Sequence, residues 1–320
     1  MPTPTIDILL ATFNGAAYLQ PQMESLLRQT YPAFRILVSD DGSSDETMSL
    51  IQAYVNRCPG RIIYVPNPCP GQGAIRNFEH LMETSLAHGQ AKWMAFADQD
   101  DIWLPDKLTH SAVAMLSLEG EVEANTPCLV HTDLYVMNAS AEPMHPSFVR
   151  SEGLKPESAT ATTLLSVNVV TGCTMLVNRA LLVNALPIPA EAIMHDWWCA
   201  LISGSGRRVF LPLPTVGYRQ HSSNQIGARN RSFWSRLKRV SANFPAVLSR
   251  VRQLGVLTWG QAQALDHRLC ERELAHSHVV EYLSWRQKPK WIRIANYRRY
   301  YLGPQLDCLS RWWFWQGSPA

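Results

Sequence analysis

A chain of 320 residues, 46% hydrophobic and 17% charged, has an ordinary globular composition and is long enough for one large α/β domain with an appendage, or for two modest domains. No apolar run approaches the roughly 18 residues of a spanning helix, which excludes a polytopic membrane protein. The seven cysteines show no CxxC spacing, which argues against a disulfide frame or a zinc site. The formal charge of +3 hides an asymmetry: residues 228–320 hold 16 Lys/Arg and 5 Asp/Glu, the first 227 residues 13 and 21.

The N-terminal stretch MPTPTIDILLATFNG has no basic segment ahead of its short apolar run, so a signal peptide is not expected and the chain should stay in the cytoplasm. Residues 6–11 then read as a β-rich strand and residues 18–29 have helical spacing. FRILVSD is strand-like, residues 45–55 helical, RIIYV a strand, residues 74–87 helical and KWMAFA a further strand. Strands separated by helices of this length predict βαβ units and a mainly parallel sheet. Ligands bind such sheets beyond the carboxyl ends of the strands. Three polar segments fall there: TFNG after the first strand, DDGSSD after the second and DQDD after the fourth.

Each segment also has a local reading. DDGSSD suits a turn with an N-cap, and DQDD before IWLPDKL suits a capped helix start with Pro105 in its first turn. A divalent cation would explain Asp98, Asp100 and Asp101 crowding the end of one apolar strand, and a solvated turn would explain it too; the convergence of three polar ends on one sheet edge favours the former. Carboxylates this close raise one another's pKa unless a cation lies among them.

From residue 128 to 221 the pattern becomes mixed. CLVHTDLYV and GCTMLVN read as strands, MHDWWCALISG as a helix start, and RRVFLP and TVGYRQH as two closing strands, with residues 141–160 irregular. Beyond residue 228 lie seven of the 11 tryptophans, interleaved with basic residues in RNRSFWSRLKRV, SWRQKPKWIRIANYRRYY and SRWWFWQ. Basic side chains with amphipathic rings suit an anionic membrane surface. A helical arm for a homodimer is the next reading, and a nucleic-acid patch the least favoured.

Taken in order, ILLATFNGAAYLQPQMESLLRQTYP, ILVSDDGSSDET, GQGAIRNF, AFADQDDIWLPDKL, HDWW and YRQHSSNQIGA resemble the inverting nucleotide-sugar glycosyltransferases of family 2, over about residues 5–227. FADQDDIW and the closing YRQHSSNQIG resemble the bacterial branch rich in rhamnosyltransferases. The resemblance implies a GT-A (Rossmann-like) fold: a mixed, mainly parallel sheet flanked by helices, followed by a helical, basic and aromatic C-terminal extension. It would place a nucleotide-binding half at residues 1–120, an acceptor and catalytic half at 121–227, and the extension at 228–320.

Asp98-Gln99-Asp100 matches the family's DXD motif, so Asp100 would ligate Mg2+ or Mn2+ directly, with Asp98 nearer the ribose or a metal-bound water. His221 would complete the metal site. A hard cation suits a leaving nucleoside diphosphate because both present or need oxygen ligands. Asp41 would accept from the pyrimidine N3–H, with Ala11, Thr12 and Phe13 lining the base and Gln99 and Arg76 close to the nucleotide. Asp196 matches the catalytic base, which must take the acceptor's proton during inversion. Trp197 and Trp198 would divide between stacking on sugar and anchoring the helix, and His195 would be structural. Arg219 and Asn224 are diphosphate-contact candidates.

The implied activity is metal-dependent transfer of a sugar, L-rhamnose from dTDP-β-L-rhamnose being favoured. The acceptor would be a glycan or lipid-linked glycan of bacterial surface polysaccharide, lipopolysaccharide or O-antigen, met peripherally at the inner face of the cytoplasmic membrane. A UDP-hexose or UDP-galactofuranose donor is the alternative within the same mechanism. A non-catalytic nucleotide-sugar or glycan-binding protein is the alternative outside it. No QxxRW motif is present, so transfer of one or a few residues is expected rather than processive synthesis.

Overall fold

The computed structural model describes residues 3–221 and 244–300. Its first part alternates β1 (Ile6–Thr12), α1 (Ala16–Leu27), β2 (Phe34–Asp40), α2 (Thr47–Arg57), β3 (Ile62–Tyr64), α3 (Ala74–His88), β4 (Trp93–Asp98), β5 (Ile102–Trp103) and α4 (Lys107–Gly120). The first four strands pair in parallel in the order β3-β2-β1-β4. Helical crossovers return the chain to the same end of the sheet each time, so all four carboxyl ends share one edge. β1 is buried on both faces: Ile8 and Leu10 pack with α1 and α2, and Leu9 packs with α3.

The second part holds β6 (Cys128–Met137), β7 (Pro143–His145), α5 (Phe148–Glu152), α6 (Ala161–Leu164), β8 (Leu176–Asn178), α7 (Arg179–Ala185), α8 (His195–Ile202) and β9 (Arg207–Arg219). β8 enters antiparallel between β4 and β6, β9 runs parallel to β6, and β5 closes the sheet antiparallel to β9. The nine-stranded sheet is therefore mixed.

Two expectations from sequence change here. RRVFLP and TVGYRQH form one strand, because Thr132 pairs with Leu211 and Asp133 with Pro214, leaving Pro212 and Leu213 as a bulge. A proline cannot donate to the ladder, and a bulge absorbs it without ending the strand. The segment read as irregular at 141–160 contains β7 and α5. α5 is capped by Ser147, whose hydroxyl accepts from the Arg150 N–H, and it ends at Gly153 in the left-handed region.

After the sheet come α9 (Phe244–Glu271), α10 (Ser277–Gln287), α11 (Lys290–Ala295) and α12 (Tyr297–Tyr300). Ala262, Leu265 and Leu269 of α9 and Val279 and Tyr282 of α10 lie in the same apolar cluster as Leu9, Phe96 and Trp198. Among the described residues no helix is long and apolar enough to cross a membrane. Of the two tryptophans that α8 contributes to this core, Trp198 is fully buried and its Nε1 donates to the Ala185 carbonyl at 2.8 Å. Trp198→Ala is expected to cost about 3–5 kcal/mol of stability, through lost burial and the cavity left behind, when measured by chemical denaturation.

Candidate active site

Parallel register assembles the site before any side chain acts. Thr12 pairs with Asp40 across β1 and β2, and Ala11 pairs with Asp98 across β1 and β4, so TFNG, DDGSSD and DQDD meet at one sheet edge. Gln99 then ties two of these loops together: its Oε1 accepts from the Phe13 N–H and its Nε2 donates to the Phe13 carbonyl, both at 2.8 Å. Only glycine fits beside this link, since a Cβ on Gly15 would lie 2.1 Å from Gln99 Oε1. Ala11 is half-buried and Thr12 is buried, with its hydroxyl donating to Asp40 Oδ1 at 2.8 Å. Phe13 is 51% exposed, an unusual surface position for a large aromatic ring.

The acids of DDGSSD divide by role. Asp40 accepts from the Gly42 and Ser43 N–H groups, and Asp45 accepts from the Ala16 and Thr47 N–H groups, so both hold local backbone. The turn-and-cap reading describes these two well. Asp41 instead reaches across to the next loop, where its carboxylate accepts from the N–H groups of Gly71, Gln72 and Gly73 and from Asn67 Nδ2. Gly71 and Gly73 have φ of 86° and 88°, which glycine adopts without the steric cost a side chain would bring. Oδ2 takes only the Gly73 bond among these and can accept one further donor. Arg76, at the start of α3, pairs with Glu79 and donates to the Ile188 carbonyl at 2.9 Å.

Asp98 is half-buried at the end of β4, and burial, followed by the charges of Asp100 and Asp196, pushes its pKa up to about 7. The charges of Asp100 and Asp196 thus both act on Asp98, near enough to disfavour its anion. Asp100 Oδ2 lies 2.7 Å from His221 Nε2. His221 stacks on Tyr18, with ring centroids 4.5 Å apart, and the Arg219 guanidinium lies 5.0 Å from the centroid of the Tyr18 ring. Arg219 is buried, and it donates from Nε to the Asp100 carbonyl and from Nη1 to the Ala139 carbonyl. Its backbone N–H reaches Asp101 Oδ1 at 3.2 Å. Behind the turn, oxygens of Asp98 and Asp101 and the Cys173 sulfur all lie within 4.8 Å of one another.

These residues fit a divalent cation. The effects acting on Asp98 are burial and two further carboxylates, and each disfavours its anion. A hard cation reverses that balance, and carboxylates suit Mg2+ and Mn2+; among the described residues the ligand atoms already gathered are those of Asp98, Asp101 and Cys173, while Asp100 is bonded to His221.

Asp196 stands in the first turn of α8. Its Oδ1 accepts from the Trp197 N–H at 2.5 Å and its Oδ2 from the Gly172 N–H at 3.1 Å. Burial pushes it up to about 6, while these N–H groups and Asn168 hold it down. Such a carboxylate is ionised near neutral pH yet more basic than a solvated one. His195 is buried beneath it, its ring 4.0 Å from Phe78 between centroids, and burial drives its pKa down to about 3, so it stays neutral.

Sequence reasoning expected one of the paired tryptophans to face sugar. Both are core residues: Trp197 donates to the Leu164 carbonyl at 2.7 Å, and Trp198 has no exposed surface. The reason is helical geometry, since α8 is covered by α7 on one side and by α9 on another. Asn224 lies outside the described residues. Tyr18, Gln22 and Cys173 were not anticipated. Tyr18 and Gln22 lie four apart on α1, and Gln22 Nε2 donates to the Asp98 carbonyl at 2.7 Å. Their polarity amid the apolar spacing of α1 was the available signal. Nothing local distinguishes Cys173 from a packing cysteine.

Residues 7–120 match the family model described as Glycosyl transferase family 2. Over 242 residues the chain is 27% identical to a dTDP-rhamnosyl transferase, RfbG, of Shigella flexneri, covering 72% of this chain and 78% of that protein. Two solved structures share its fold at low identity. Staphylococcus aureus TarS 1-349 in complex with UDP-GlcNAc is 13% identical with a TM-score of 0.55, covering 97% of this chain and 90% of that one. Mannosyltransferase PcManGT of Pyrobaculum calidifontis, in complex with GDP-Man and Mn2+, is 16% identical with a TM-score of 0.53, covering 98% and 86%. Residues 7–120 therefore resemble a glycosyl transferase family 2 domain, and the chain shares the GT-A fold of these solved structures.

Proposed function

We propose that this glycosyltransferase works by inversion and depends on a divalent cation, moving L-rhamnose from dTDP-β-L-rhamnose to a glycan or lipid-linked glycan of the bacterial surface. The observation that carries the mechanism is Asp98 at the carboxyl edge of the sheet, next to Asp100 with its His221 partner and within the electrostatic reach of Asp196. Rhamnose as the sugar is supported by the relative named a dTDP-rhamnosyl transferase.

In this reading the nucleotide lies across the ends of β1 and β2. Asp41 accepts from the thymine N3–H, Ala11, Thr12 and Phe13 line the base, and Gln99 fixes Phe13 in place. Arg76 lies at the entrance to α3, already paired with Glu79. Asp100, Asp98 and His221 would hold Mg2+ or Mn2+, which when bound neutralises charge on the departing diphosphate. Arg219 keeps the DQDD turn closed from behind. Asp196 orients the acceptor hydroxyl and takes its proton as the oxygen attacks the face opposite the leaving group. Inversion of a β-L donor yields an α-L-rhamnoside.

The C-terminal helices support a peripheral contact with an anionic membrane at its cytoplasmic face. Trp291 is 69% exposed there, beside exposed Lys288. An aromatic ring and basic side chains in one exposed segment match a headgroup region. A homodimer arm would use the same exposed surface, and nucleic acid is not an expected partner.

Asp196→Asn should leave donor binding by calorimetry unchanged while lowering kcat by about 10²–10⁴-fold; retained turnover would remove Asp196 from the base role. Because the folded pKa of Asp196 is raised to about 6, the base is protonated and idle below that value. The kcat of the wild type should thus fall about tenfold per pH unit below pH 6 and level off above it. Asp100→Ala should abolish the Mn2+-dependent part of dTDP-rhamnose binding. If the wild type prefers a UDP-sugar in the same titrations, the mechanism stands and rhamnose is replaced by that sugar; if no donor binds, a non-catalytic role takes its place.

A further inference from the structure

The segment leading into the Asp196 helix has no regular structure between α7 and α8, yet it is held at several backbone atoms by side chains from distant elements. α3 holds its middle: Glu79 Oε1 accepts from the Ile188 N–H at 2.7 Å, and Arg76 donates to the Ile188 carbonyl at 2.9 Å. α9 holds both its ends. Arg268 donates to the Asn184 carbonyl at 3.0 Å and to the Pro187 carbonyl at 2.8 Å. Gln261 Oε1 accepts from the Ile193 N–H at 2.9 Å, three residues before Asp196.

Gln261 is the informative member. It is 1% exposed, and its Nε2 has no hydrogen-bond partner among the described residues. Burying half an amide without a partner costs free energy, so packing alone favours an apolar side chain at this position. What the amide provides is an acceptor for the Ile193 N–H, which would otherwise be left unsatisfied close to where α8 begins. Arg268 adds a second link, since its guanidinium lies 5.8 Å from the centroid of Trp198, two residues after Asp196.

We propose that α9 is a working part of the active site, with Gln261 and Arg268 as positioning residues that fix Asp196 through the 184–193 segment. The proposal rests on the reading of Asp196 as the base. It gives the C-terminal extension a role in turnover, separate from any membrane or dimer contact. A carboxylate base works only when its oxygen meets the acceptor proton, and displacement by about 1 Å costs up to a hundredfold in rate. In the proposed reading the donor's base and metal contacts lie at the ends of β1, β2 and β4, whereas the hydrogen bonds of Gln261 and Arg268 go to the 184–193 segment.

The test uses the full chain. Gln261→Met and Arg268→Met should each lower kcat about tenfold while donor affinity, measured by calorimetry with dTDP-rhamnose and Mn2+, stays at the wild-type value. Gln261→Glu retains an oxygen to accept from Ile193 and should recover most of kcat. Wild-type kcat in both Met variants would overturn the proposal. So would parallel losses of kcat, donor affinity and thermal stability that Gln261→Glu fails to rescue, because a purely structural role predicts them. If Gln261→Met does not fold, Arg268→Lys, which keeps the charge but loses the two-carbonyl fork, is judged by the same split between kcat and donor affinity. Asp196→Asn serves as the control. If it retains turnover, the base reading fails and the proposal with it; if it abolishes turnover while the Met variants match wild type, the proposal alone fails.

Discussion

Carboxylates gathered at one edge of a parallel sheet repel one another, and their placement constrains much of what surrounds them. Parallel register fixes where Asp98 and the acids after β2 must emerge, so their spacing cannot be relaxed without changing the sheet. The protein manages the turn with neutral or backbone-directed contacts. Gln22 and Arg219 both donate to main-chain carbonyls of the DQDD turn, at Asp98 and Asp100. Tyr18 contacts both neighbours of the turn, stacking on the His221 imidazole that is bonded to Asp100 and lying close to the Arg219 guanidinium. The backbone of the turn is thus fixed while the crowding of its carboxylates is left uncompensated, which is the electrostatic state a bound cation would relieve.

The same constraint separates acids that shape backbone from acids that serve chemistry. Asp40 and Asp45 accept backbone N–H groups within their own turn and at the start of α1, and for Asp45 the Thr47 hydroxyl and these N–H groups outweigh burial and lower its pKa. Asp98 and Asp196 are pushed up instead, to about 7 and about 6, chiefly by burial. Two carboxylates with perturbed pKa values in one cleft, tied to different loops, is an arrangement that structural capping does not require. Asp196 differs from Asp98 in accepting two backbone N–H bonds, which keeps it the more acidic of the pair and ionised near neutral pH.

How much of this the sequence carried depends on the range of the forces involved. The alternation of strands and helices through residue 120 follows from local periodicity, and the convergence of TFNG, DDGSSD and DQDD follows from parallel pairing alone. The bulge at Pro212 and Leu213 has a local signal, the paired prolines, but its outcome depends on the β6 partner. The tryptophans of HDWW could not be oriented from sequence, because one face of α8 is decided by α9, whose nearest described residue lies more than 40 positions downstream. Tyr18 and Cys173 reach the site by tertiary packing and carry no motif of their own.

The charge of the C-terminal extension is a further case in which composition and structure differ. Its excess of basic residues suggests a large external field, yet several arginines there are spent inward. Arg286 is 1% exposed and donates to the Gly255 carbonyl and to the Tyr282 hydroxyl; Arg268 and Arg272 donate to carbonyls of the 184–187 segment. A guanidinium suits this use because its planar fork can serve two carbonyls at once and it is more weakly hydrated than an ammonium. The extension therefore has two electrostatic jobs. Its inward arginines hold backbone beside α8, while Lys288 and Trp291 are exposed and Arg299 pairs with Glu281 at the surface. Salt should screen these exposed charges far more than it weakens the inward bonds.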